Sequence, residues 1–430
     1  MEKIIINGGR PLFGEVEIGG MKNTAVAVIM GSLLIEDKCV IENLPDISDV
    51  ATSFAILKSM GASVRQINKT TYEIDNTRTK GGISPPELVR KMRASYYLLG
   101  AELGRFNKAR VAPPGGCWFG DRLIDQHIKG FEHLGGVFRI SDTGHYAAEA
   151  PNGLKGTDIL LDCPSVGATI NIILAAVKAE GTTLIENAAR EPHVIDLSIF
   201  LNKCGANISG MGTNIIKIKG VEKLHGCAYT ILPDMIEAGT YMAIAAATGG
   251  SLRIKNVIPK HLESITAKFI EMGISVEEFD DSVIVSRVGE INSVNIKTQP
   301  YPGVPSDMNA PMCVLLCLAN GVSSITEGIF DNKYRYCDEL QRMGAAIKVN
   351  GRVATIEGKG VLTATVVKAV DLRAGAALVT AALAARGKTE IEDIYWIERG
   401  YEDIVNKLKK VGADIRKIDI PDGYKYEKAN

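Results

Sequence analysis

Six stretches of the chain are apolar on every side, beginning near Asn23, Arg93, Ala168, Ile236, Met308 and Arg373, and all are rich in Ala, Ile, Leu and Gly. A helix without a polar stripe is one that is buried all round. Between these stretches lie short segments that predict strands, several ending in an acid or Asn, and amphipathic segments such as 53–60 and 404–411, which predict helices with one wet face. Each amphipathic segment runs into a glycine, at Gly61, Gly135, Gly205, Gly273, Gly344 and Gly412, where glycine serves as a helix stop. One phrase therefore recurs about six times at a spacing of roughly 70 residues: buried helix, strand, half-exposed helix, glycine, strand. The opening MEKIIINGGR predicts a short strand ending in a turn.

Units of this kind cannot cover their own apolar helices, so they must pack together with helices inside and sheets outside. A chain of 430 residues is too long for one ordinary core, and two domains are expected. The tract TILPD interrupts the pattern near Pro233 and divides the six units into two groups of three. A cleft is expected between the halves, with the positive ends of the buried helices turned toward it. Six stacked solenoid repeats fit less well, because the units are long and lack distinct caps.

A hydrophobic content of 46% with 23% charged residues is ordinary for a globular protein. The net charge of -1 offers no basic face to nucleic acid, so an anionic ligand must be met by local clusters of Arg and Lys. The amino terminus lacks the layout of a signal peptide, and the apolar runs at 25–34 and 170–177 are broken well short of the roughly 18 residues of a bilayer span. A cytoplasmic protein with no membrane insertion is expected. Eight cysteines without paired spacing read as free thiols. Cys313 and Cys317 fall on one helix face, but no histidine or further cysteine is placed to complete a zinc site, so they read as core and no metal is expected.

Chemistry gathers at the breaks in the pattern. The segment VAPPGGCWFG (111–120) sets Cys117 between a Gly-Gly pivot and two aromatics, with Arg122 close behind to favour the thiolate; taken alone it reads either as a reactive thiol on a movable loop or as a half-buried free cysteine. Lys22 and Asn23, Arg93, Asp307 and Arg373 open the buried helices, where packing alone would choose apolar residues. Arg122, Lys333 and Arg399 add cations from distant units, a set suited to a ligand carrying phosphate and carboxylate. Neither GxxxxGK[ST] nor a strand-linked GxGxxG is present, so the usual nucleotide cradles are missing. A thiol, a carboxylate and several cations fit proton transfer and group transfer between small anions.

The matching stretches are GGMKNTA at Lys22, MRAS at Arg93, PPGGCWFGDRLID around Cys117 and Arg122, SVGATINI at Ser165, ENAAREP at 186–192, PSDM at Asp307, DLRA at Arg373 and ERGYE at Arg399. In this order and spacing they resemble the enolpyruvyl transferase family over essentially the whole chain. The resemblance implies an inside-out α/β barrel fold in two domains, 22–232 and 1–21 with 233–430, the N-terminal strand crossing to complete the second. It implies transfer of the enolpyruvyl group of phosphoenolpyruvate to a hydroxyl of UDP-N-acetylglucosamine with loss of phosphate, the first committed step of peptidoglycan synthesis, and no cofactor.

By the same resemblance Cys117 is the proton donor and the nucleophile of a covalent adduct, and Asp307 is the base toward the sugar hydroxyl. Lys22, Arg122 and Arg399 hold the phosphate, Arg373 and Lys333 stand near the carboxylate, and Arg93 supports the cluster. Asn23, Arg122, Leu123, Ile124, Asp125, Gln126, Ser165, Val166, Gly167, Asp307 and Ile329 match positions that bind the nucleotide sugar. The chain departs from the family at Met235 and Lys333, where Arg is usual, at Leu123 for Pro, at Cys163 for Lys, and at Trp396 and Glu398 before the Arg-Gly of ERGYE. These departures leave room for a paralogue acting on another uridine nucleotide. A non-catalytic sugar-nucleotide-binding regulator is expected to lose Cys117, Asp307, Lys22 or Arg399, and all four are present.

Overall fold

A computed structural model describes residues 2–82, 84–115, 124–142 and 144–419. These form two compact units, one of residues 19–233 with 300–302 and the other of the remaining described residues. Cys117, Arg122 and Leu123 lie outside the described residues.

In the first unit the buried helices are Lys22–Gly31, Tyr97–Phe106 and Val166–Ala176, and the middle one packs on both others. Close approach is built in by sequence: a Cβ on Gly100 would stand 2.4 Å from the carbonyl oxygen of Asn171, and one on Gly104 would stand 2.6 Å from that of Leu174. Helix backbones so near one another tolerate only hydrogen at those positions. In the second unit Met235–Thr248, Asn309–Cys317 and Leu372–Ala384 pack mutually, again with almost no exposed residue. The openings at Arg93 and Met308 are single 3-10 turns, Arg93–Tyr96 and Ser306–Met308, that feed the helices.

The outer helices are Ser48–Ser59, Asp125–His133 and Pro192–Lys203 in one unit, and Pro259–Glu271, Tyr336–Arg342 and Ile404–Lys410 in the other. The first begins five residues before the expected 53, because Asp49 in its opening turn is a buried ion-pair partner rather than a solvated loop residue. Past the ends of these helices Gly61, Gly135, Gly205, Gly273, Gly344 and Gly412 all hold φ between +80° and +101°. The next amide reaches back into the last turn in every case, from Ala62 to Leu57, Gly136 to Phe131, Ala206 to Leu201, Ile274 to Phe269, Ala345 to Leu340 and Ala413 to Leu408. That bond is the signature of a glycine-terminated helix.

Among the described residues six sheets accompany the helices, three in each unit. Strands alternate buried and exposed residues, as in Ile215–Lys219, where Ile216 and Ile218 face inward. The order of strands is open in every sheet, so the barrel expected from the resemblance is not a closed one among the described residues. Residues 2–18 complete two sheets of the second unit: Glu2–Gly8 lies between Gly387–Glu392 and Asp414–Asp419, and Phe13–Glu17 runs parallel to Ser251–Lys255. At three equivalent strand ends an Asn with φ of 56° to 60° folds its amide onto the residue after the neighbouring parallel strand, Asn43 to Ile231, Asn187 to Leu161 and Asn256 to Ile18. Among the described residues no helix is long and apolar enough to cross a membrane.

Gly412 isolates the backbone requirement, since its φ is +97° and a Cβ there would have nothing within 4 Å. Gly412→Ala is expected to destabilise the protein by about 1–2 kcal/mol through conformation alone, read by chemical denaturation. An unchanged midpoint would remove the glycine stop as the reason for the repeat.

Candidate active site

In the second unit three expected residues converge. Asp307 occupies the 3-10 turn before Asn309–Cys317, Arg373 the first turn of Leu372–Ala384, and Lys333 the loop before Tyr336–Arg342. Arg373 Nε donates to Asp307 Oδ2 at 3.2 Å, and Lys333 Nζ stands 3.6 Å from Oδ1. The cations are buried, with side chains 4% and 2% exposed, whereas the carboxylate is 32% exposed. One carboxylate thus faces outward from between two sequestered positive charges.

The helix start that carries Arg373 is held by Asp371, whose carboxylate accepts from the amides of Arg373 and Ala374, both at 2.9 Å. Asp is the cap that satisfies orphan amides at such a terminus. The guanidinium lies over Tyr401, 5.3 Å from the ring centre, and the Tyr401 hydroxyl meets that of Thr240 at 2.9 Å. Burial works against the charge of Arg373, yet Tyr401, Asp307 and Asp234 outweigh it and raise its pKa above the ordinary value. Arg373 Nη1 is buried with no hydrogen-bond partner among the described residues. Arg399 lies over Trp396 at 5.4 Å, and Lys333 over Phe330 at the same distance. Ile329, 36% exposed, has its amide on Glu327 at 3.0 Å, and that buried carboxylate also accepts from the Asn309 amide at 2.8 Å.

In the first unit Lys22 opens Lys22–Gly31, against the usual dipole preference for anions there, and is paired at 3.0 Å with the buried Asp49. Asn23 follows it, half-buried. Ser165 caps Val166–Ala176 by accepting from the Ala168 amide at 3.3 Å, and Val166 is half-buried. Gly167 has a mechanical reason: a Cβ there would stand 2.3 Å from the Tyr96 hydroxyl and 3.0 Å from the His127 ring. Ile124 and the exposed Asp125 begin Asp125–His133. Gln126 braces that turn, donating to Asp162 at 2.8 Å and to Asp125 at 3.1 Å while accepting from the Asp162 amide at 2.9 Å.

Sequence reasoning missed the group that joins these positions. Arg93 lies over the Tyr96 ring at 5.5 Å, Tyr96 meets His127 edge-on at 4.9 Å, and His127 Nδ1 is 2.9 Å from the Asn171 amide. Burial lowers the pKa of Arg93 and, with Arg93 itself adding repulsion, lowers that of His127 to about 3. Asp371 was visible in principle as a capping residue just ahead of DLRA's arginine, and Tyr401 as part of ERGYE. Asp49, Tyr96 and His127 carry no local signal, since their importance comes from partners far along the chain.

A family profile described as EPSP synthase (3-phosphoshikimate 1-carboxyvinyltransferase) matches residues 6–408. The UDP-N-acetylglucosamine 1-carboxyvinyltransferase 3 of Caldanaerobacter subterraneus subsp. tengcongensis is 55% identical over 418 residues, which is 97% of this chain and 100% of the relative. The UDP-N-acetylglucosamine 1-carboxyvinyltransferase 2 of Clostridium acetobutylicum is 54% identical over 421 residues, 98% and 100% of the two chains. Among solved structures, the enolpyruvyl transferase NikO from Streptomyces tendae aligns with a TM-score of 0.87 at 26% identity, covering 98% of this chain and 99% of its own. EPSP synthase from Acinetobacter baumannii shares the fold, with a TM-score of 0.73 at 18% identity over 97% and 100%.

His127 is expected to stay neutral in the folded protein well below its ordinary 6.5. The unfolded chain takes up that proton first, so the contribution of His127 to stability falls as pH drops through 6.5 toward 3. Ring resonances of His127 that do not titrate between pH 8 and about 5 are the expected NMR result; a midpoint above 5 would contradict the buried, neutral ring.

Proposed function

The chain belongs to the EPSP synthase family, and on that premise we propose that it transfers the enolpyruvyl group of phosphoenolpyruvate to a hydroxyl of UDP-N-acetylglucosamine, releasing phosphate in the first committed step of peptidoglycan synthesis. The observation that carries this reading is the 55% and 54% identity, end to end, with two UDP-N-acetylglucosamine 1-carboxyvinyltransferases. The three-helix packing beneath open sheets in each unit is read as that family's inside-out arrangement. A cytoplasmic setting is consistent with the described cysteines, which are all free thiols.

Addition of a sugar hydroxyl to the enol requires a base at the hydroxyl and an acid at the methylene carbon, and elimination of phosphate then restores the double bond. Asp307 is assigned as the base. Its carboxylate stands between two cations and is partly exposed, so a bound hydroxyl can reach it while Arg373 and Lys333 hold it in register. Arg373 Nη1, a buried donor left without an acceptor among the described residues, is assigned to the carboxylate of phosphoenolpyruvate, which would relieve a costly vacancy. Lys333 contributes charge there without the planar fork of an arginine. Lys22 and Arg399, with Arg122, are assigned to phosphate, whose departing charge they stabilise. Cys117 is assigned as acid and nucleophile on the family resemblance of PPGGCWFGDRLID. The turn at Ile124, Asp125 and Gln126, the segment Ser165, Val166 and Gly167, and the positions Asn23, Leu123 and Ile329 are assigned to the nucleotide sugar, and Arg93 to support of the cationic cluster. Gln126 and Gly167 support that assignment, because their surroundings fix backbone rather than fill space.

Phosphate release from phosphoenolpyruvate is expected to depend on UDP-N-acetylglucosamine. Release that requires shikimate phosphate or a different uridine nucleotide instead would overturn the acceptor. Asp307→Asn and Cys117→Ser are each expected to lower kcat by about a hundred- to ten-thousand-fold, and in Cys117→Ser nucleotide-sugar binding, followed by calorimetry, is expected to stay near that of the parent protein. Full turnover in either variant would remove the corresponding role.

A further inference from the structure

Cysteines that look scattered in the sequence gather into two groups of three. Cys313, Cys317 and Cys337 are buried around Tyr336 in the second unit. Cys39, Cys204 and Cys227 meet in the first unit, where Cys39 and Cys204 are buried but Cys227 is half-exposed beside the exposed His225. None of these residues takes part in the enolpyruvyl chemistry assigned above.

The second group is held together by backbone. Cys204 ends Pro192–Lys203, and its carbonyl accepts from the His225 amide at 2.9 Å. The carbonyl of Cys227 accepts from the Val40 amide at 2.9 Å, one residue from Cys39, and leads into Ala228–Thr230, which runs parallel to Lys38–Glu42. Fixed from both sides, the sulfurs of Cys204 and Cys227 are 3.3 Å apart, inside ordinary sulfur contact. Closing by about 1 Å would bring them to bonding distance.

The two thiols are also electronically unequal. Hydrogen bonds from Cys204 and Cys39, helped by the charges of Lys203 and His225, lower the pKa of Cys227, whereas hydrogen bonding to Cys227 raises that of Cys204. A half-exposed thiol with a lowered pKa, 3.3 Å from a buried thiol with a raised one, is the arrangement of an attacking and a resolving cysteine.

We propose that Cys227 and Cys204 are a peroxide-reactive dithiol, with Cys227 the attacking sulfur and Cys204 the resolving one. The Cys227 thiolate attacks one oxygen of hydrogen peroxide, the O–O bond breaks, and the departing hydroxide takes a proton to become water, leaving a sulfenic acid. The Cys204 sulfur then attacks the Cys227 sulfur, the S–O bond breaks, and the hydroxyl leaves as water with the Cys204 proton. Two thiols lose two electrons and two protons, and one peroxide becomes two waters. The product ties the end of Pro192–Lys203 to the start of Ala228–Thr230. Cys313, Cys317 and Cys337 have no such access and stay reduced.

The test treats the native full-length protein with hydrogen peroxide, blocks remaining thiols with N-ethylmaleimide during unfolding, and maps peptides by mass without reductant. Expected is a peptide pair joined through Cys204 and Cys227 that separates on adding dithiothreitol. In Cys204→Ala, dimedone is expected to trap a sulfenic acid on Cys227. In Cys227→Ser, at a half-exposed position that tolerates a hydroxyl, oxidation of Cys204 is expected to slow by at least about tenfold. Recovery of Cys204 and Cys227 as maleimide adducts after other cysteines have been oxidised would overturn the proposal. So would direct passage of Cys227 to sulfinic acid in the parent protein, or undiminished oxidation of Cys204 in Cys227→Ser.

Discussion

A guanidinium and an ammonium, both almost wholly buried, share the carboxylate of Asp307. Unpaired, either charge would be expensive to keep out of water, and the loss of a buried partner is strongly destabilising. The carboxylate therefore binds three elements together: the turn before Asn309–Cys317, the start of Leu372–Ala384 and the loop before Tyr336–Arg342. Asp371 fixes the helix start from behind and Tyr401 fixes the guanidinium plane. A side chain so constrained has little freedom to relax, which is the preorganisation that acid–base and oxyanion chemistry use. Lys22 and Asp49 repeat the device in the other unit, joining a buried helix to an outer one.

How much of this was legible in the sequence follows from how local each cause is. The glycine stops were legible because a positive φ demands glycine whatever lies around it, and each announces a helix end by itself. The buried helices were legible from their missing polar face, and their polar first residues stood out against it. The early start of Ser48–Ser59 was not, since the partner of Asp49 in its first turn is Lys22, far back in the chain. The Asn43, Asn187 and Asn256 latches belong to the same class, because each is defined by the strand next door. The open sheets likewise depend on pairing between distant strands, which periodicity does not encode.

Among the described departures from the family pattern, Met235, Trp396 and Glu398 find ordinary packing. Met235 is buried at the start of Met235–Thr248, directly after the capping Asp234. Trp396 supplies a face for Arg399, and Glu398 pairs with Lys417 at 2.6 Å. Lys333 stands 3.6 Å from Asp307 where Arg373 makes a directed hydrogen bond of 3.2 Å, so the Arg373 guanidinium is the cation that orients the carboxylate. The thiols show the opposite lesson: spacing gave no hint that Cys39, Cys204 and Cys227 would meet.

The most direct test of the account is a crystal structure of the protein with UDP-N-acetylglucosamine bound. The account predicts a sugar hydroxyl within hydrogen-bond reach of the Asp307 carboxylate, with Arg373 and Lys333 still on its other side. A sugar that binds with no hydroxyl near Asp307, or an Asp307 swung away from both cations, would contradict it.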